Sequence, residues 1–584
     1  MATQSSTART LDIRYEANEK PPHSVAFGLG LQYALLAVSG IVITPAIVVR
    51  AGGGGDAFLA WATFAALFIS GVTTVLQAVR VWRVGAGYIL LMGTSGAFIA
   101  VCVTALARGG PGLLATLVAA SALFQFLLSA RLSLLRRVFT PVVSGTVIML
   151  IPVTVVPIMF DMLTDVPAGA ARAAAPVSTA ATLAVIIVVT VLARGVWRLW
   201  ALAFGTVAGC LVSAGFGLYD TQSVLDAAWI GLPAGGWPGF DLSFGTAFWS
   251  LLPAFIFVTL IGAIETLGDS VAIQRVSWRQ PRATDFRAVQ GAVAADGLGN
   301  LLSGLAATVP NTTYSSSVSI TEITGVAART VGIYIGLVFM ALAFVPKFMA
   351  LILAIPGPVV AAYLIVLLAI LFVLGMRVVI QEGVDYRKGV AVGVAFWLGV
   401  GFQNQLIYAD YFNEFWAGLL ENGMTTGGLT VIVIMLFMEL TQPRRLRTRT
   451  ELDAGAYPKI DEFLGRFAAD RGLGKVMTQR LRAVGEETLL TLIRQEEEGR
   501  AREGRRLLVV AHRVGAAVEL EFVAATDETN IEDRIALLGE RVSGVPVEEE
   551  VSLRLLQHYA SSVRHQQYHD TDVVTVRVEH AGTS

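Results

Sequence analysis

The sequence predicts an all-α membrane protein of about fourteen transmembrane segments in two inverted seven-span repeats, followed by a soluble C-terminal α/β domain. Three observations predict it. Of 584 residues, 55% are hydrophobic and only 15% charged, against about a quarter charged in soluble domains. Apolar runs of the length that crosses a bilayer, about 20 residues, recur from Ser24 to Leu440. Basic residues alternate between the loops on the two sides of those runs. The formal net charge of −1 argues against a nucleic-acid partner. Cys102 and Cys210 both lie in apolar runs; they form neither a disulfide framework nor a zinc spacing, and no cofactor is expected.

Residues 1–23 are polar, with Arg9, Arg14 and Lys20. No apolar core precedes a small-residue cleavage site, so no removable signal peptide is expected. Clear spans follow at 25–49, 58–79, 111–129, 140–160, 177–193, 198–217, 247–273, 330–352, 357–380, 389–404 and 427–440. Three weaker ones, 88–107, 287–306 and 313–328, mix Gly, Ser, Thr and Asn with apolar residues. With both termini inside, the inner loops hold fifteen Lys and Arg. The outer loops hold four: Arg50, Arg108, Arg172 and Lys347. Positive charge concentrates on the cytoplasmic side, so this alternation supports the even count with both termini cytoplasmic; the inner (plasma) membrane is the expected location.

The third and tenth spans share a peculiarity. Gly85–Phe98 and Val309–Ser319 each begin extended and polar before an apolar run. Interrupted spans in corresponding halves of a transporter mark a binding site. They stand seven spans apart, which suggests the two inverted repeats. The N-termini of the half-helices are then expected to meet in mid-membrane and offer backbone N–H groups to a polar ligand.

Ionisable residues inside a span are functional candidates by default. Glu265 and Asp269 sit at i and i+4, so both project from one helical face. Two buried carboxylates this close repel. One of them is expected to carry a proton, or to accept hydrogen bonds from a neutral, N–H-rich ligand such as a nucleobase edge. Asp296 reads equally as a proton relay or as the structural partner of a neighbouring helix, and Glu322 as facing the cytoplasm.

These residues resemble the nucleobase–ascorbate transporter family over roughly residues 20–440. Glu265-Thr-Leu-Gly-Asp269 resembles its eighth-span motif Glu-x-x-Gly-Asp, in which the glutamate binds the base. Ala295–Gly304 and Pro310–Ser315 resemble the approach to its tenth span, particularly in the xanthine and urate branch, and Ile323–Arg329 the end of that span. Gly85–Tyr88 and Gly93–Phe98 resemble its third span. The resemblance implies a core domain that holds substrate and a gate domain that usually dimerises. It implies substrate contacts from Glu265, Ser316, Ser317, Thr94, Ser95, Gly96, Gln32 and Tyr33, and proton coupling through Asp269, Asp296 and Glu265. Three positions depart from the family pattern. Gln32-Tyr33 stands for its Gln-His, Gly96 for a stacking aromatic, and Ser316-Ser-Val-Ser319 for its Gln-Asn-x-Gly. A serine reaches less far than a long amide, so the pocket is expected to take a larger or differently polar ligand.

After Gln442 the composition changes. Pro443–Arg449 is a juxtamembrane basic run, expected to satisfy the positive-inside rule and touch anionic lipid, within a linker at 443–454. Residues 455–584 read as a cytoplasmic α/β domain. Helices are expected at 460–469, 476–494 and 551–562, and strands at 506–511, 517–522 and 573–578. Their order resembles the ATPase-type fold of anti-sigma-factor kinases and histidine kinases. There, a Glu and an Asn one helical turn apart hold magnesium and nucleotide. Here Leu490 and Thr491 stand where the Asn should follow Glu486 or Glu487, and no Gly-x-Gly lid is present. Asp527–Asn530 reads as a turn. The expectation is a degenerate regulatory or dimerising domain without ATP hydrolysis, with His558, His565 and His569 on its surface.

Taken together, the residues and the resemblance point to proton-coupled uptake of a purine- or pyrimidine-type base by a non-enzymatic, homodimeric membrane carrier. Two alternatives stand beside it. A sulfate-permease-like anion transporter shares the fold but predicts a positive site, against which Glu265 and Asp269 argue. A permease-like sensor or scaffold would signal through the tail.

Overall fold

The computed structural model describes residues 13–130, 140–407, 411, 420, 422–441, 445–497, 506–514, 517–524, 531, 547–568 and 571–579, less positions 234, 281, 382 and 384. Arg9, Arg131, Arg136, Arg137, the start of the basic run at Pro443 and Arg444, Asp527–Asn530 and His569 lie outside the described residues. The chain forms two compact units: Met1–Arg279 with Ala288–Leu436, and Gln280–Arg287 with Phe437–Ser584.

The first unit is helical. Its elements are α1 (His23–Ala51), α2 (Asp56–Val79), β1 (Met92–Thr94), α3 (Ile99–Ala130), α4 (Pro141–Met162), α5 (Ala174–Leu192), α6 (Ala201–Gly215), α7 (Thr246–Arg275), α8 (Phe286–Leu305), β2 (Asn311–Thr313), α9 (Ser316–Thr324), α10 (Arg329–Ala343), α11 (Pro346–Leu353), α12 (Gly357–Ile380), α13 (Tyr386–Gln403) and α14 (Gly423–Thr441). Among the described residues, eight helical stretches are long and apolar enough to cross a membrane, and a ninth arises if α10 and α11 are joined. The stretch expected as one span at 330–352 is bent rather than straight. The chain bends by 86° between α10 and α11, because Pro346 has no N–H to continue the helix and constrains the residue before it. The break expected between 107 and 111 is present. Gly110 takes φ +69° inside the α3 stretch, and Pro111 starts the next run.

Lipid offers little hydrophobic incentive for helices to associate, so close backbone approach at small residues takes over. Gly71 on α2 and Gly336 on α10 face each other, as do Gly145 on α4 and Gly375 on α12. A Cβ at Gly71 would lie 2.6 Å from the Gly336 carbonyl oxygen, and one at Gly145 would lie 2.6 Å from that of Gly375. At both crossings the clashing atom is backbone, so no rotamer change relieves it.

Residues 13–19 run as a strap beneath the helix ends. The Arg14 N–H donates to the Gly325 carbonyl at 2.7 Å, and the Ala327 N–H to that of Tyr15 at 2.8 Å. Arg279 donates to both Glu19 carboxylate oxygens at 2.8 and 2.7 Å, and to the carbonyls of Ile13 and Arg14. This planar fork of donors matches a carboxylate.

The second unit is a five-stranded antiparallel sheet in the order β3-β4-β5-β7-β6: β3 (Leu446–Glu451), β4 (Arg506–Val514), β5 (Ala517–Ala524), β6 (Ser562–Gln567) and β7 (Asp572–Val578). Helices α15 (Tyr457–Asp470), α16 (Lys475–Glu497) and α17 (Val547–Tyr559) belong to the same domain. Leu464, Phe467 and Leu481 from α15 and α16 share its core with Val509, Leu520, Phe522 and Val576 from the strands. Two strands were not expected. β3 lies inside the basic linker and pairs with β4, its Arg447, Arg449 and Glu451 exposed in the manner of a charged edge strand. β6 occupies the segment just past the end of α17. It turns His565 inward, so the surface expected for this residue is corrected to the interior. His565 is buried and its Nδ1 accepts from the Ile531 N–H at 3.1 Å.

Two outcomes are expected. Gly71→Ala should lower the melting temperature of the solubilised protein, because overpacking costs about 1–3 kcal/mol. Gly28→Ala, where a Cβ meets nothing within 4 Å, should leave it unchanged; equal melting of the two variants would refute the crossing. The Arg279 guanidinium, then the Glu16 N–H, hold the Glu19 carboxyl below its ordinary range. Its contribution to the strap is therefore present above the usual glutamate range and lost as pH falls through the lowered value. Protection of residues 13–19 against hydrogen exchange, taken relative to the intrinsic amide rate at each pH, should fall on acidification, and in Arg279→Gln it should be low at every pH.

Candidate substrate site at the paired strands

β1 and β2 cross antiparallel in the middle of the helical unit, pairing Met92 with Thr313, Gly93 with Thr312 and Thr94 with Asn311. Each strand is followed by a helix, so the N-terminal turns at Gly96–Phe98 and Ser316 flank the pair from opposite ends. Extended backbone in an apolar setting needs a partner for every polar group, and side chains supply them. Gln77 Oε1 accepts from the Ala86 N–H at 3.1 Å while its Nε2 donates to the Ala292 carbonyl at 3.0 Å. Thr74 Oγ1 accepts from the Met92 N–H at 3.0 Å. Ser317 Oγ accepts from the Leu91 N–H at 2.9 Å, and Asn300 Oδ1 from the Asn311 N–H at 2.7 Å. On the approach to β1, Gly85 takes φ +99° and its N–H donates to the Gly291 carbonyl at 2.7 Å. A Cβ there would collide with the Leu76 carbonyl oxygen, so both the conformation and the close approach require glycine.

Three carboxylates surround the strands. Asp269 is buried on α7 and accepts from Thr313 Oγ1 at 2.7 Å and Ser315 Oγ at 2.6 Å. Asp296 is wholly buried on α8; its Oδ2 accepts from Gln125 Nε2 at 2.6 Å and Thr266 Oγ1 at 2.9 Å, and its Oδ1 has no partner among the described residues. The Thr266 and Thr313 hydroxyls stand 3.4 Å apart, so two hydroxyls link the two aspartates. Glu265, one helical turn before Asp269, is half-buried and makes no hydrogen bond among the described residues. It is thus the one carboxylate of the three with both oxygens available to an N–H-bearing ligand.

The remaining sequence-derived positions fall into two sets. Gly96 is half-buried beside β1, and a Cβ built there meets nothing within 4 Å. Ser316 is exposed at the start of α9, and Ser95 is buried with its hydroxyl unpartnered among the described residues. These three leave room or polar capacity beside the strands. The others hold the fold. Ser317 bridges Leu91 and Tyr314. The Thr94 hydroxyl donates toward the Gly40 and Ile41 carbonyls, and Tyr33 is buried with its hydroxyl 2.8 Å from Thr324 Oγ1. Gln32 is half-buried on α1, and Glu322 is exposed on α9. Among the described residues, no three His, Cys, Asp or Glu side chains are grouped to hold a metal ion.

Sequence reasoning passed over Gln77, Gln125, Asn300, Thr266 and Thr313. Gln125 is the clearest omission: its Nε2 donates to Asp296 and its Oε1 accepts from Asn300 Nδ2 at 2.7 Å. A lone amide in the apolar run 111–129 was the available signal. Gln125→Leu takes the acceptor from the buried Asn300 Nδ2 and one of the two donors from Asp296 Oδ2, so it should destabilise the protein by about 1–3 kcal/mol, read as a lowered melting temperature without ligand. Gln32→Leu should be close to neutral in the same assay. Equal effects would show that the Gln125 network does not hold α3 to α8.

Comparison with known proteins adds the lineage. The Permease family model for xanthine and uracil permeases matches residues 25–406. The xanthine permease XanP of Escherichia coli is 28% identical over 73% of this chain and 94% of its own length. The nucleobase transporter PlUacP of Paenibacillus larvae is 26% identical over 70% of this chain and 93% of its own. Among solved structures, the transmembrane domain of the cyanobacterial bicarbonate transporter BicA aligns with 72% of this chain and 99% of its own, at 17% identity and a TM-score of 0.43. The match spans more than half of the sequence and takes in both strands and all three carboxylates: the chain belongs to the xanthine/uracil permease family.

Proposed function

We propose that this protein is a secondary transporter of a purine- or pyrimidine-type nucleobase, such as xanthine, urate or uracil, across the plasma membrane. The observation that carries the reading is Glu265: a half-buried, unpartnered carboxylate beside the extended strands. A nucleobase presents adjacent N–H and C=O groups on a planar edge. Glu265 accepts from the N–H side, and backbone N–H groups of the half-helices at Gly96 and Ser316 meet the carbonyl side. The named xanthine permease and nucleobase transporter relatives support the same substrate class. A sulfate-type anion is disfavoured, since three carboxylates would repel it.

Transport is coupled to protons in this reading. A threonine hydroxyl has one proton to give. With Asp269 ionised, Thr313 donates to it. With Asp269 protonated, the aspartic acid donates to Thr313, which can then turn its own proton toward Thr266. The Asp269–Thr313–Thr266–Asp296 chain thus has two states of different polarity, and substrate at Glu265 biases them through one helical turn.

The architecture proposed is fourteen segments in two inverted repeats, with both termini cytoplasmic. Support comes from the antiparallel strands, from the amide clamp that serves each strand approach, Gln77 for one and Asn300 for the other, and from the two glycine crossings. A homodimer is proposed from the family resemblance. Exposed apolar residues on α5, α6 and α13, among them Val191, Leu211 and Trp397, are compatible with a lipid-facing or self-associating surface.

Uptake of radiolabelled xanthine, urate and uracil tests the assignment. Glu265→Gln should weaken binding of the transported base by about 2 kcal/mol, roughly thirtyfold in Kd, as expected for loss of a charge-assisted hydrogen bond. Unchanged uptake would remove Glu265 from the site, and no uptake or binding of any base by the unmodified protein would remove the substrate class.

A further inference from the structure

A second chamber lies outside the site just described. It has a volume of about 480 Å³, within the range of small-molecule pockets, about 300–1,000 Å³. Its walls are apolar, with Ile43 and Ile47 of α1 facing Val360 of α12, and its rim carries Arg50 from the end of α1 with Asp161 and Asp165 from the end of α4. Arg50 is held in place by donating to the Leu353 carbonyl at 2.9 Å. By the alternation of basic loops, this end of α1 is the outer one.

The chamber stands in series with the central site. Ile43 follows Gly40 on α1, and Val360 precedes Tyr363 on α12, by three residues each, about one helical turn or 5 Å. At Gly40 the two elements converge: a Cβ there would lie 3.4 Å from the Tyr363 hydroxyl and 3.5 Å from the Tyr314 hydroxyl. Behind this tyrosine pair the Tyr314 hydroxyl donates to the Thr94 carbonyl at 3.0 Å, which is the strand pair itself. A ligand in the chamber is one side-chain layer from β1.

The rim selects for chemistry. A simple anion meets two carboxylates, and a simple cation meets a guanidinium. A flat heterocycle carrying both carbonyl oxygens and N–H groups satisfies both, with its faces against the isoleucine and valine walls. We propose that this chamber is a second, outer binding site for the nucleobase itself, where it is held by Arg50, Asp161 and Asp165 before the tyrosine pair opens. This rests on the nucleobase reading of the central site.

The test is thiol protection in a full-length chain carrying Cys102→Ala and Cys210→Ala. Thr164→Cys, on the exposed wall of the chamber, should react with a membrane-impermeant methanethiosulfonate added outside intact cells. Xanthine at ten times its chamber Kd should slow that reaction about tenfold, by simple occupancy. The protection should persist when Glu265→Gln disables the central site, and should disappear in Asp161→Asn/Asp165→Asn. Both aspartates are exposed, so that variant should keep the parental melting temperature. Absence of labelling from outside, or loss of protection in Glu265→Gln, overturns the chamber as a binding site. If the unmodified protein transports xanthine while protection fails, the chamber alone is refuted. If the unmodified protein binds no base by any assay, the nucleobase reading fails and takes the chamber with it.

Discussion

Extended backbone in the middle of a bilayer is the constraint on which the membrane unit depends. An unsatisfied peptide group there costs several kcal/mol, and β1 and β2 are too short to satisfy each other completely. The surrounding helices are therefore built as suppliers of hydrogen bonds. Gly71, Thr74 and Gln77 follow one another at three-residue steps on α2. The first lets α10 approach, the second accepts from Met92 and the third from Ala86. On α8, Asp296 and Asn300 stand one turn apart, joined through Gln125 to α3. The polar residues of these apolar helices thus serve mainly to keep two three-residue strands in place. Only what remains after that service is free for a ligand.

That division separates residues which composition alone cannot distinguish. Thr94, Ser317 and Tyr33 are polar, intramembrane and close to the strands, yet each hydroxyl already has a backbone or side-chain partner. Glu265 has none among the described residues, and Gly96 faces open space. The candidate site lies where hydrogen bonding is incomplete, beside a buried pair of aspartates linked through two threonine hydroxyls.

The helical body was legible because hydropathy and the alternation of Arg and Lys are properties of whole segments. The two broken spans were legible because Gly, Ser, Thr and Asn cluster just where an apolar run should begin, and Glu265 and Asp269 because carboxylates are rare in such surroundings. What escaped was long-range or subtle. Gln125 and Asn300 are 175 positions apart, and no local pattern announces their pairing. The bend at Pro346 hides in a run whose hydropathy is continuous. β3 alternates Arg with Thr and so lacks the apolar face by which a strand is read, and His565 was assigned to the surface on its residue type, although β6 directs it inward.

The strap at residues 13–19 has a consequence for biosynthesis. Its partners, Arg279 and Gly325–Ala327, are made some 260 to 310 positions later. At a synthesis rate of about 5–20 residues per second, the beginning of the chain waits roughly 13 to 62 seconds for them. It can be fastened only once Arg279 and the Gly325–Ala327 junction have reached the same side of the membrane. A misthreaded chain would leave Arg279 and the two strap glutamates apart, so the fastened strap marks a correctly inserted molecule.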